Sequence, residues 1–136
     1  MRTSEEVYDT GLAIRREMFG PAGSDNAIAN AGPFKGPLED FVTRYCFGEV
    51  WGGEDLDRKT RSLVTVAITS ALGRQTALRS HVRGAIANGA SPGELRDVLL
   101  HTMLYAGIPA AVDAFNQAAE VLKELGLDPS TVESRR

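Results

Sequence analysis

The chain has 136 residues, 43% hydrophobic and 24% charged, the balance of a globular protein with one hydrophobic core and no second domain. Fifteen Lys and Arg against eighteen Asp and Glu leave a net charge of -3, and no stretch gathers the cations into a basic face, which argues against nucleic acid as a partner. The N-terminus lacks the apolar run of a signal peptide, and nowhere do about 18 apolar residues follow one another, so the expectation is a cytoplasmic protein away from membranes. Cys46 is the sole cysteine, which excludes an internal disulfide, a thiolate zinc cage and a CxxC redox pair.

In chain order, Val7, Leu12, Ile14 and Met18 mark a first helix from Ser4 to Met18, stopped by Gly20-Pro21. From Pro21 to Pro37 the density of Gly, Pro, Asn and Ser predicts a long surface connection. Leu38, Phe41, Val42, Tyr45 and Cys46 then share one apolar face of a second helix ending near Gly48. Asp57 is a suitable N-cap for a third, central helix that is nearly all apolar after Ser62 and stops at Gly73. A fourth helix runs from Gln75 to Asn88 before Gly89. Ser91-Pro92-Gly93-Glu94 is a capping box that starts a fifth, which continues to Ala106. Gly107-Ile108-Pro109 turns the chain into a sixth helix carrying Ala110, Ala114, Ala118, Val121, Leu122 and Leu125, and residues 127–136 read as a frayed tail. No segment alternates. The expected fold is all-α, about six helices in a single domain spanning 1–136 with its core at about 4–126, and the small residues of the last three helices favour a homo-oligomer.

Chemistry is carried by few side chains. His81 lies on an apolar stripe with Ala77, Leu78 and Ala85, which fits either a core histidine or a shielded catalytic one. His101, between Asp97 and Tyr105 at one-turn spacing, fits a surface pair or a polar cluster lining a groove. Glu49 stands between Phe47 and Trp51. If those rings shield it, its charged form is disfavoured and it can hold a proton near neutral pH; if not, it is a solvated helix end. Arg58, Lys59 and Arg61 sit where cations oppose the helix dipole, which suits either a carboxylate ligand or plain solvated charge, and Arg74 shares the ambiguity. Two histidines on separate helices lack the spacing of catalytic zinc ligands, so no metal site is expected.

Three blocks, YCFGEVWGGEDLDRKTRSLVTVAITSALGR, LRSHVRGAIANGAS and LRDVLLHTMLYAGIPAAVDAF, resemble in order and spacing the carboxymuconolactone decarboxylase family over about residues 8 to 125, and within it the γ-carboxymuconolactone decarboxylase branch. The resemblance implies an alkyl hydroperoxidase D-like helical subunit that assembles as a trimer or hexamer, with active sites near subunit contacts. It also implies cofactor-free decarboxylation of 4-carboxymuconolactone to 3-oxoadipate enol-lactone in aromatic catabolism. The family's other branch uses a Glu, a CxxC pair and a downstream His. At those positions this chain has Ser62, Arg74 and Ala77, and keeps only His81, so dithiol peroxidase chemistry is disfavoured. On this reading His81 and Glu49 share the oxyanion and proton-transfer roles. Arg58, Ser62 and Arg74 bind substrate, Trp51 excludes water, and His101 and Tyr105 border the pocket. A related decarboxylase or isomerase acting on another unsaturated lactone or oxo acid, or a non-catalytic oligomeric binding protein, are the competing expectations.

Overall fold

A computed structural model describes residues 1–133; every described element is helical, so the fold is all-α. The chain divides into two compact units, 1–57 and 58–136.

In the first unit, α1 (Ser4–Phe19) opens with a capping box in which Thr3 and Glu6 satisfy each other's backbone N–H groups. The stretch read as a surface connection is helical instead. It forms a 3-10 turn (Pro21–Gly23), α2 (Asp25–Ala29) and α3 (Gly32–Phe41), and α3 continues as a π-helical stretch (Val42–Val50). Gly and Pro density misleads here because Gly32, at φ +66°, and Pro33 initiate the helix rather than interrupt it. Pro37 lies inside the helix, beyond its first turn, where it removes one backbone donor without ending the helix.

The second helix therefore starts earlier than expected, and most of its predicted apolar face is not buried, although Val42 packs against the core. Leu38, Phe41 and Tyr45 are exposed, while Glu39, Thr43, Phe47 and Gly48 turn inward. Ile14, Met18, Phe47 and Trp51 form the core of this unit, with Phe19 set edge-on to Phe47 at 5.6 Å between ring centroids. Beside it Arg15, itself buried, donates to Glu39 at 2.7 Å, to Thr43 Oγ1 at 2.9 Å and to the Gly23 carbonyl at 3.0 Å.

The second unit comprises α4 (Arg58–Leu72), α5 (Gln75–Ala87), α6 (Pro92–Ala106) and α7 (Ile108–Glu124). Their boundaries fall close to expectation, with Gly73, Gly89, Gly107 and Gly126 all at positive φ and the Ser91–Glu94 capping box formed. Ile108 already belongs to α7 instead of to the turn. Val66, Leu78, Val82, Ala85, Leu95, Leu99, Ala114, Ala118 and Val121 build one contiguous core.

In the central helix α4, Val66 is buried with Ser62, Thr69 and Ser70, while Val64, Ile68 and Leu72 are exposed. Its inward hydroxyls tolerate this because Thr69 and Ser70 donate to carbonyls one turn back, at 2.7 and 2.6 Å. The predicted tail is ordered as far as described. Asp128 caps a 3-10 turn (Pro129–Thr131), Arg96 donates to the Glu133 carbonyl at 2.6 Å, and Pro129 and Val132 cover an apolar hollow lined by Leu95, Leu99 and Phe115. The remainder of that predicted tail, 134–136, lies outside the described residues.

Candidate functional site

The second unit gathers most of the candidate side chains. His81 lies on the α5 face that also bears Leu78, Val82 and Ala85, and its Nδ1 is shut off from solvent. Desolvation lowers its pKa to about 4, because the imidazolium would leave water without gaining an equivalent environment. The imidazole is therefore neutral at physiological pH, able to offer an N–H or a lone pair but not to act as a resident cation.

Two turns further along the same face, Asn88 ends α5 and donates from Nδ2 to Ser62 Oγ on α4 at 3.0 Å. Ser62 is fully buried, so in this chain its hydroxyl serves a helix-to-helix bond and does not line an open surface. Arg58, one turn before Ser62, is partly buried, and Arg74, immediately before α5, is exposed. Within the expected cation cluster, Lys59 is paired with Glu94 at 2.9 Å. That contact and the Ser91 backbone N–H hold the Glu94 carboxyl below its ordinary range. His101 and Tyr105 are exposed and stack at 5.2 Å, with His101 at an open hollow of about 320 Å³ that also touches Asp97 and Leu104.

In the first unit, of the two placements open to Glu49, the shielded one does not form and the solvated one does. Phe47 and Trp51 pack into the core with ring centroids 5.7 Å apart, while Glu49 faces outward from the π-helical stretch and is exposed. The wider spacing of a π-helix sends neighbouring residues to different sides than a 3.6-residue period would. Cys46 is exposed at the residue level, but partial burial pushes its thiol up from the ordinary value, which disfavours the reactive thiolate. Among the described residues no three His, Cys, Asp or Glu side chains converge as metal ligands, and no helix is long and apolar enough to cross a membrane.

Sequence reasoning missed Asn88, whose position before Gly89 reads only as a helix end, and the Arg15–Glu39 pair, whose partners are 24 residues apart. Neither leaves a local signal.

Comparison with known proteins gives this arrangement a context. The model of the carboxymuconolactone decarboxylase family matches residues 37–120. The chain is 41% identical over 128 residues to the 4-carboxymuconolactone decarboxylase of Acinetobacter baylyi, covering 94% of this chain and 96% of that one. It is 33% identical over 119 residues to a nitrosuccinic acid decarboxylase of Metarhizium robertsii, covering 88% and 83%. A match over more than half of the sequence, joined to near-full-length identity with a named member, establishes that the chain belongs to the carboxymuconolactone decarboxylase family.

Proposed function

We propose that the protein is a carboxy-lyase that converts 4-carboxymuconolactone to 3-oxoadipate enol-lactone in the breakdown of aromatic compounds. The observation that carries this reading is the 41% identity to the Acinetobacter baylyi enzyme along nearly the whole of both chains. The substrate is its own electron sink. The bond from the ring to the carboxylate breaks, carbon dioxide leaves, and the electron pair passes through the ring double bond to the lactone carbonyl oxygen. The resulting dienolate takes up one proton on carbon. The protein has to hold two carboxylates, stabilise the oxyanion and deliver that proton.

His81 suits the oxyanion, since a neutral, largely buried N–H is a preorganised donor, and such a donor is worth about 3 kcal/mol. With its pKa at about 4 it is a poor store of protons at neutral pH, so in this scheme proton transfer goes to Glu49, which is exposed and would relay its proton from solvent. Arg58 and Arg74 take the carboxylates, with Ser62 behind Arg58. His101 and Tyr105, both exposed on α6, complete the scheme as further substrate contacts.

The reading extends to a cytoplasmic homo-oligomer, a trimer or hexamer. Phe34, Leu38, Phe41 and Tyr45 on α3 and its π-helical continuation, and Val64, Ile68 and Leu72 on α4, are exposed apolar rows at helical spacing, which subunit contacts would cover. Treating residues 1–136 as one functional domain is supported by a family match that runs across the division at Asp57.

A second reading, decarboxylation of another acid that carries its own electron sink, is favoured by the relative named for nitrosuccinic acid, in which a nitro group is the sink. The test supplies purified protein with freshly generated 4-carboxymuconolactone or with nitrosuccinate and follows carbon dioxide. Release from the lactone, lowered about 10²- to 10³-fold in His81→Ala, is the expected result. Faster release from nitrosuccinate would move the assignment to the second reading, and none from either would overturn both.

A further inference from the structure

We propose that Asn88 is a positioning residue for the reaction: through Ser62 it holds the α4 turn that carries Arg58 in register with the α5 helix that carries His81. The inference rests on the decarboxylase reading above and assigns a role to a side chain outside that scheme.

Asn88 is seven residues after His81, so both lie on one face of α5 about 10 Å apart along the helix axis. From that place its Nδ2 donates to Ser62 Oγ at 3.0 Å and approaches the Arg58 carbonyl at 3.5 Å. Ser62 differs from three other hydroxyl residues of its helix. Thr65, Thr69 and Ser70 each donate to a backbone carbonyl four residues back, a local bond that says nothing about neighbouring helices. Ser62 instead accepts from α5, and the Arg58 carbonyl that such a local bond would use is approached by the same amide. A local contact is thus replaced by one that spans 26 residues of sequence and joins two helices.

The turn being held has reason to need holding. Arg58, Lys59 and Arg61 place positive charge at the N-terminal end of α4, where it opposes the helix dipole. The Lys59–Glu94 pair also anchors that turn, but it is solvent-exposed and contributes little. The Asn88–Ser62 bond is anchored on a fully buried hydroxyl, where geometry is better defined. If Arg58 holds the departing carboxylate while His81 faces the oxyanion, the separation between them must be right at the transition state. Long-range attraction of the substrate to Arg58 depends on it far less.

That difference defines the test. Asn88→Ala, Ser62→Ala and the double variant are assayed for 4-carboxymuconolactone decarboxylation beside wild type and Arg58→Gln, each at a temperature where its circular dichroism reports a folded chain. Asn88→Ala should lower kcat about 10- to 100-fold with KM changed less than about threefold, whereas Arg58→Gln should chiefly raise KM. Ser62→Ala should match it, and the double variant should be no worse, because the two act as one unit. Ser62→Ala removes only a hydroxyl and carries the test if Asn88→Ala does not fold. Active wild type with unchanged kcat in the folded variants, or losses that multiply in the double variant, would overturn the positioning role alone. Wild type that releases no carbon dioxide would bring down the decarboxylase reading and this inference with it.

Discussion

The two units bury different kinds of surface. Residues 58–136 pack aliphatic and alanine side chains from four helices into one core, in which each contact is non-directional and modest. Residues 1–57 rely on a few directional contacts, namely a small aromatic cluster, a buried ion pair and a backbone-to-backbone crossing of α1 with the π-helical stretch. A core of the first kind loses stability in proportion to what is removed. An arrangement of the second kind fails when a single geometric condition is broken, so the heaviest single-site penalties should fall in the smaller unit.

The largest is expected at Gly11. A Cβ there would lie 1.8 Å from the Thr43 carbonyl oxygen and 2.8 Å from the Gly48 amide nitrogen, and backbone atoms cannot swing aside as a side chain does. Gly11→Ala should therefore cost on the order of 4 kcal/mol or more, read as a collapse of amide protection within residues 1–57 in hydrogen exchange. Retained protection would show that the crossing is softer than its geometry implies. Next comes Arg15. Arg15→Met leaves Glu39 buried without its main partner and should cost about 3–5 kcal/mol, whereas Arg15→Met with Glu39→Leu should recover most of that loss in chemical denaturation. A double variant as unstable as the single would mean that the pair does more than neutralise itself.

The same contrast governs what the sequence makes legible. Helix boundaries in the second unit follow from local chemistry, with Gly73, Gly89, Gly107 and Gly126 as stops and Ser91 with Glu94 as a start, so α4 to α7 can be read residue by residue. In the first unit, Gly32, Pro33, Gly36 and Pro37 look like loop residues; Gly32 and Pro33 stand at the helix start, while Gly36 and Pro37 lie inside the helix against their own propensity. The π-helical stretch defeats periodicity directly. Spacing at three, four, seven and eight residues finds the exposed row of Leu38, Phe41 and Tyr45, while Thr43, Phe47 and Trp51 face inward. Among site residues, the enclosure of His81 is legible from its apolar neighbours at one-turn spacing. The bond between Ser62 and Asn88 is not, because it depends on how α4 and α5 pack. For Glu49 the sequence leaves shielded and solvated placements open, and the π-helical stretch decides for the solvated one.

The smallest of these effects lies in the aliphatic unit and comes from its enclosed titratable group. His81 has a folded-state pKa of about 4 against an ordinary value of 6.5, caused by desolvation. Between those two pH values the unfolded chain binds a proton that the folded chain does not, so stability falls as pH is lowered from 6.5 toward 4 and is insensitive to this group above that window. The full loss is on the order of 3 kcal/mol. Denaturation midpoints measured from pH 7 to pH 4 should show this slope in wild type, and His81→Asn, which has no proton to gain in that range, should flatten it. The same neutrality makes a catalytic prediction of matching sign: a neutral imidazole donor keeps its form across pH 6 to 8, so His81 adds no limb to the rate profile there. An unchanged acid slope in His81→Asn would place the titrating group elsewhere and remove the ground for giving His81 the role of neutral donor.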